Sequence, residues 1–298
     1  MPFLGELSAL ATACCWSGSS LSFAAATRSV GTAHVNLTRL IVAAMLLLAV
    51  VLLSGLDARL SNDQLIYLAM SGVVGFALGD TFLFQAFERL GARLTMLIMS
   101  LAPAVAAALA YFMLGEGISR TGAIGIGVTI FGVASVVLDR GDLAQQRSPM
   151  HLSRAGIVFG LLAAAGQGGG LVLAKLAFRE GNVNGFVATM FRVVASLLVL
   201  FPATVLLRKF KNPVGVFRGE RKAFLLTLLG ALLGPFLGVV GSIVAIQHTS
   251  IGIAATLMAT TPILMLPLVR MIHHEHISWR AYLGAFVAVG GVAVLFMR

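Results

Sequence analysis

MSLAPAVAAALAYFMLGEGIS, residues 99–119, and MATTPILMLPLVRMIHHEHIS, residues 258–278, are one pattern written twice. Each opens on a methionine (Met99, Met258) and carries a proline four residues on (Pro103, Pro262). Each then runs through an apolar stretch and closes on Glu116, Ile118 and Ser119 or on Glu275, Ile277 and Ser278. The offset is 159 at every pair, and it extends both ways: Gly75 and Gly79 meet Gly234 and Gly238, Ala86 meets Ala245, Gly125 meets Gly284, and Gly132 meets Gly291. Upstream the offset is 153 and pairs Arg39 with Arg192. Glycines alone recur by chance in a glycine-rich chain; Pro, Glu and Ser in one register mark an internal duplication.

The duplicated unit is a membrane unit. Hydrophobic residues make up 59% of the 298-residue chain and charged residues 11%, with a mean hydropathy of +0.98, whereas a soluble domain carries about 25% charged residues. A surface this apolar needs lipid as its solvent. Apolar runs separated by charge or turn residues place ten spans near 4–26, 35–54, 64–86, 93–114, 120–138, 154–177, 185–207, 223–246, 251–272 and 279–297, each near the ~20 residues a bilayer requires. The segment 139–153, with its Asp-Arg-Gly-Asp and Pro149, divides a first half (1–138) from a second (154–298). The expected fold is all-α, with ten transmembrane helices as two five-helix repeats. Five is odd, so the second repeat enters the bilayer inverted, an arrangement that lets two halves exchange conformations around a central site.

The surrounding residues resemble the drug/metabolite transporter superfamily in its EamA-type group. The likeness rests on Trp16 in a first span of small residues, on Arg39 and Arg192 near the starts of the second and seventh spans, and on Pro103 and Pro262. Leu114-Gly115-Glu116 and His274-Glu275, each followed by Ile-Ser, complete it, in two copies covering nearly the whole chain. The resemblance implies a carrier with a central cavity lined mainly by spans 1, 3, 4, 6, 8 and 9, exporting amino acids, metabolites or toxic compounds, often by exchange or proton coupling. The second copy departs from the pattern at Gly168-Gly169-Gly170, where an aromatic is expected, and at His273-His274-Glu275-His276.

Asp80 is the sharpest candidate, a carboxylate well inside the third span, where charge costs about 2.5–3.5 kcal/mol on insertion scales. It reads either as a coupling or substrate-ammonium site or as a buried acid tied to Arg39 or Thr81. Its repeat equivalent is Val239, so any such role belongs to one half. Arg39 and Arg192 suit a substrate carboxylate or phosphate, or else headgroups and helix ends. Pro103 and Pro262 should free the carbonyls of Met99 and Met258 and kink their helices, with Ser100, Thr260 and Thr261 at hand to satisfy them or line the site. Gln85, Gln167 and Lys175 are further polar cavity candidates. Gly75, Gly79, Gly234 and Gly238 fit close helix packing; Glu116 and Glu275, at span ends, read as structural partners or N-caps of the next helix.

The net charge of +10 falls between apolar runs, not in a patch interleaved with aromatics, so it suits phospholipid headgroups and not nucleic acid. Fourteen Lys and Arg lie on the side reached after odd-numbered spans (here the basic face) and five on the other, besides Arg39 and Arg192. The positive-inside rule then puts both termini outside the cytoplasm, whereas the resembled family more often has them inside. Met1-Pro2-Phe3 lacks the basic start of a cleavable signal peptide. Cys14 and Cys15, adjacent on one helix, suit neither a disulfide nor a metal, and the His run lacks the spacing that puts two ligands on one helical face. No protease, hydrolase or nucleotide-binding motif is present. The expectation is therefore a secondary transporter of a small solute in the inner (plasma) membrane, not an enzyme, with no cofactor and no metal. A lipid flippase or a non-transporting membrane partner is the alternative, and a homodimer is left open.

Overall fold

Backbone N–H and C=O groups in lipid must pair within their own segment, which favours helices. The structure, a computed structural model, describes residues 3–115, 117–137, 153–207, 212–249, 251–273 and 278–296, and every regular element among them is helical. The first half holds α1 (Leu4–Val30), α2 (Thr32–Leu53), α3 (Asn62–Gly72), a π turn (Val73–Gly79), α4 (Asp80–Met99), α5 (Ala102–Leu114) and α6 (Arg120–Val137). The second holds α7 (Arg154–Arg179), α8 (Gly185–Leu206), the short α9 (Pro213–Gly219), α10 (Arg221–Ala231), a second π turn (Leu232–Gly238), α11 (Val239–His248), α12 (Ile251–Met258), α13 (Thr261–His273) and α14 (Trp279–Phe296). Leu53, Leu206 and Phe112 are 88%, 82% and 80% exposed, which only an apolar solvent accommodates.

Helix ends follow local chemistry. Ser61 and Gln64 form a reciprocal capping box at α3, while Ser153 and Asn184 cap α7 and α8. Ser119 Oγ accepts from the Gly122 N–H at the start of α6 (3.0 Å), and Ser278 Oγ accepts from the Ala281 N–H at the start of α14 (3.3 Å). The duplicated serine is thus a duplicated N-cap, satisfying a donor that the first turn leaves unpaired. Glu116 and Glu275, expected in that region, lie outside the described residues.

Seven stretches are long and apolar enough to cross a membrane: Thr32–Leu53, Asn62–Met99, Arg120–Val137, Arg154–Arg179, Gly185–Leu206, Arg221–Ser242 and Trp279–Phe296. Ala102–Leu114 and Thr261–Ile272 are shorter apolar helices. The expected division between the third and fourth spans, 87–92, contains the one backbone break there, but that break is a single residue and the fourth span is itself interrupted. Helix continues from Asn62 to Met99 with one non-helical residue, Gly91 (φ 75°, ψ 174°), a conformation that glycine adopts without a side-chain clash. The second break, at Ser100 and Leu101, precedes Pro103. Pro103 and Pro262 sit at the second positions of α5 and α13, so each restarts a helix where a missing N–H costs nothing, instead of kinking a continuous one.

The duplication is visible element by element. The first π turn, α3, α5 and α6 begin and end 159 residues before the second π turn, α10, α13 and α14. The α4 helix starts 159 residues before α11 starts and ends 159 before α12 ends. Packing obeys the same symmetry: α7 lies along α3, the first π turn, α4 and α5, as α1 lies along α10, the second π turn, α11, α12 and α13. Of the other helices, α2 pairs with its equivalent α8 and α6 with its equivalent α14, while the short α9 packs on α10.

The α6–α14 seam shows why the repeated glycines are there. A Cβ on Gly132 would stand 2.4 Å from the Ala288 nitrogen, and one on Gly291 would stand 2.4 Å from the Thr129 nitrogen. These two contacts are images of each other under the 159 offset. Gly125 against Gly291 and Gly284 against Gly132 form a second such pair. Backbones touch here, as small residues allow in membranes. Gly132→Val and Gly291→Val are each expected to cost about 1–3 kcal/mol by overpacking, read as a lower melting temperature in detergent. Gly127→Ala and Gly290→Ala, where an added Cβ meets nothing within 4 Å, should leave it unchanged or raise it.

Candidate functional site

Thr32, Asn36 and Arg39 share one face of α2 and meet the end of the third span, rung by rung. Gln85 Nε2 donates to Thr32 Oγ1 (3.0 Å), and Asn36 Nδ2 donates to Thr81 Oγ1 (3.3 Å). The Arg39 guanidinium is ion-paired with the Asp80 carboxylate and also donates to Asn36 Oδ1 (3.2 Å). This polar ladder runs from the basic face, where α2 begins, inward to Asp80. Arg39, Asn36 and Asp80 are 8%, 2% and 2% exposed, so at its inner end the ladder is shut off from solvent and lipid alike. Phe23 and Phe84 flank the Arg39 guanidinium, with ring centroids 5.7 and 5.3 Å from its Cζ.

The sixth span closes on Asp80 from the other side. Gln167 Nε2 donates to Asp80 Oδ1 (2.7 Å) and approaches the Gly75 carbonyl (3.3 Å). Helix-to-helix approach makes this reach possible: a Cβ on Gly166 would lie 2.7 Å from the Gly79 Cα, and one on Gly170 would lie 3.0 Å from the Gly75 Cα. Of the Gly168-Gly169-Gly170 departure, Gly169 and Gly170 belong to this surface, while Gly168 packs against Ala102 and Ala106 of α5. In the other half Gly234 and Gly238 face side chains, Ser19 and Trp16, with a Cβ on Gly238 falling 2.2 Å from the indole Nε1. The same spacing therefore accepts a bare helix on one side and a side-chain ridge on the other.

Arg192 enters from α8. A Cβ on Gly72 would overlap the Arg192 carbonyl at 2.0 Å, and one on Gly75 would stand 3.5 Å from the guanidinium Nη2. Its Cζ lies 4.5 Å from the Phe76 ring centroid, and it stands near enough to Asp80 for the two charges to act on each other. The structure thus gathers Arg39, Asp80, Gln167 and Arg192 into one centre built from α2, α4, α7 and α8, with Arg39 and Asp80 buried and Gln167 and Arg192 half-buried.

A profile of the EamA-like transporter family matches residues 3–138 and 154–297. The chain belongs to the EamA-like transporter family. A solved crystal structure matches with a TM-score of 0.65 at 18% identity, covering 97% of this chain and 95% of that one; at that identity the likeness concerns the fold. No curated protein matches the chain. This EamA-like protein is accordingly a multi-pass membrane protein of the two-repeat type.

Other candidates are placed away from the Asp80 centre. Gln85 is shared between Thr32 and Arg89, whose Nη1 also reaches the Gln85 carbonyl (3.0 Å) and whose Cζ lies 4.8 Å from the Phe159 ring centroid. Ser100 and Thr260 donate to the carbonyls of Leu97 and Leu257 (2.6 Å each). Thr261 donates to the Met258 carbonyl (2.8 Å), the group that Pro262 leaves without its N–H. These hydroxyls seal the broken helices. Ser17 joins the Thr261 carbonyl (3.1 Å) and ties the first span to the break, while Trp16 covers Gly238. Lys175 is exposed. Thr32, Asn36 and Phe76 were not singled out from the sequence. The spacing of Thr32, Asn36 and Arg39 along one helical face was the available signal for the first two.

Removing one member of a buried ion pair strands the other charge at a cost of about 3–5 kcal/mol, whereas apolar replacement of both is often neutral. Asp80→Asn and Arg39→Gln are each expected to lower the melting temperature strongly. The double variant Arg39→Met/Asp80→Val should lie well above the sum of the single losses. A double-mutant cycle on thermal or denaturant unfolding checks this, and additivity would mean the pair is uncoupled.

Proposed function

We propose that this protein is a secondary transporter that moves a small water-soluble solute (a metabolite, amino acid or drug-like compound) by alternating access, acting as an exporter or exchanger in the cell's inner membrane. Ten spans in two inverted five-span halves are the topology behind this reading, with α4–α5 and α12–α13 completing the fourth and ninth spans. The observation that carries it is the combination of a repeated backbone with an unrepeated polar centre. Two halves that match in every helix end from α3 to α6 can trade conformations at little cost. The ladder cannot be traded, because the equivalents of Asp80, Thr81 and Gln85 are Val239, Val240 and Val244.

The ladder is then a one-sided latch. It ties α2 to α4 near the basic face, while in the equivalent α8–α11 contact on the opposite face Thr189 and Arg192 of α8 meet positions of α11 that are all valine. Exchange of conformations between the halves would open the first contact and close the second, so the ladder biases the resting equilibrium. Each amide or hydroxyl rung is worth about 0.6 kcal/mol in a membrane, enough to tilt populations without freezing them. Asp80 is also the one carboxylate deep within a span among the described residues, and proton coupling falls to it in this mechanism.

Thermal unfolding of the purified protein against amino acids, amines, nucleosides, sugars, sugar phosphates and cationic drugs is expected to give at least one saturable shift. A ligand at 100 times its Kd stabilises by about 2.7 kcal/mol. Counterflow of that ligand in liposomes tests the function, and absence of counterflow for every stabilising solute would overturn it. For the latch, Thr81→Val/Gln85→Val is expected to raise thiol labelling of Ala33→Cys and lower that of its repeat equivalent Phe186→Cys, in a background without Cys14 and Cys15. Equal labelling with and without the rungs would remove the latch. Loss of pH-gradient-driven flux with retained exchange in Asp80→Asn identifies the coupling acid; retained gradient-driven flux removes it from that role.

A further inference from the structure

Resting on the transport reading, we propose that Arg192 is the substrate's anion-binding residue, so that the solute carries a carboxylate or phosphate group. The starting point is a charge without a built-in partner. Arg39 and Arg192 occupy equivalent places in the two repeats, but the halves treat them differently. In the first half Asp80 neutralises Arg39. In the second the position of Asp80 is taken by Val239, so the half that supplies Arg192 supplies no carboxylate for it.

The surroundings make this deficit costly. The Nε–H is buried and unpaired in both arginines, but Arg39 has Asp80 and Asn36 on its Nη2, whereas among the described residues the Arg192 guanidinium is held only by the face of Phe76 at 4.5 Å. A buried donor left unpaired carries its full desolvation penalty, larger for a charged group. Within the centre two guanidinium groups face one carboxylate, which already has Arg39 on one oxygen and Gln167 on the other. The excess charge is positive, so a cationic solute would be repelled and an anionic one would complete the set. Stacked on an aromatic ring, the guanidinium keeps its donor edge in plane and suits a two-oxygen acceptor. Gly75 sits beside Nη2, where a Cβ would be 3.5 Å away, and it places no side chain against that edge. A carboxylate or phosphate docking there meets Arg192 first and feels Asp80 next. Its arrival neutralises Arg192 and removes the electrostatic pull that this residue exerts on Asp80, which ties occupancy of the site to the ladder.

The test uses the full-length protein in detergent, with inorganic phosphate, glycerol 3-phosphate and succinate as soluble probes. Choline serves as the cationic control, chloride at equal ionic strength as the blank, and phosphatidylglycerol in mixed micelles as the lipid source of the same chemistry. The expected result is a saturable rise in melting temperature with at least one anion and none with choline. Arg192→Gln should weaken that apparent affinity by about 10- to 100-fold, as loss of a charge-assisted hydrogen bond does, and Arg192→Lys should keep part of it. Without ligand, Arg192→Gln should melt at or above the wild-type temperature, because an unpaired buried charge has been removed. A structural arginine gives the opposite result, a lower melting temperature with the anion shift intact, and that outcome overturns the proposal. Stabilisation by choline alone, or by no probe, overturns it too. A shift with phosphatidylglycerol but with none of the soluble anions keeps the anion site and identifies a lipid headgroup as its occupant. Anion binding without counterflow of that anion removes the transport reading while leaving the site; counterflow of a cation unaffected by Arg192→Gln removes the site while leaving transport.

Discussion

A carboxylate and a guanidinium taken out of water and placed inside a bilayer must find each other, and the arrangement around Asp80 and Arg39 follows from that requirement. Coulomb attraction in a low-dielectric interior offsets desolvation only when the geometry is close and the remaining lone pairs and N–H groups are also engaged. Gln167 occupies the second carboxylate oxygen, Asn36 takes another guanidinium hydrogen, and Phe23 and Phe84 flank the cation. Gln167 reaches Asp80 because Gly166 and Gly170 let the sixth span lie directly on Gly79 and Gly75. A single larger residue on that seam would hold Gln167 away, so backbone packing and buried electrostatics depend on each other here.

What the two halves share and what they do not share fall into separate physical classes. Helix ends, π turns, prolines that restart helices, N-capping serines and contact glycines are shared, and all of them act on the backbone. The residues that differ act through side chains: Asp80 against Val239, Thr81 against Val240, Gln85 against Val244. Duplication preserved the scaffold and left one face free to acquire charge. The π turn preceding Asp80 ends where the unrepeated chemistry begins; the Asp80 N–H bonds back to the Gly75 carbonyl, the same oxygen that Gln167 approaches. Such wide turns commonly mark functional positions in helices.

The arginines illustrate how symmetry can be informative when it fails. Identical residues at equivalent places would be expected to have equivalent partners, and Arg39 and Arg192 do not. One is neutralised within its own half. Both leave a buried Nε–H unpaired and both lie against aromatic rings, but among the described residues the Arg192 side chain has no ion pair or hydrogen bond of its own, which is an energetic anomaly inside a membrane and not a fold requirement.

Composition and the 159-residue register were enough to determine that the chain is helical, membrane-embedded and duplicated, because hydropathy and repeated Pro, Gly and Ser positions act locally or along one helix. They also flagged Asp80, Arg39, Arg192 and Gln167, since polar groups stand out in an apolar run. Sequence alone left open whether Asp80 faced a solute or an arginine, ran the fourth span unbroken through Ser100 and Leu101, and read Pro103 and Pro262 as kinks where they begin helices. The pairing of Thr32, Asn36 and Arg39 with Gln85, Thr81 and Asp80, and the contrast between a neutralised Arg39 and an unpaired Arg192, came from tertiary structure only. The physical reason is rotational. A periodic pattern fixes which residues share a helix face, but which way that face turns is set by backbone contact with its neighbours, and here glycine seams between distant segments decide it.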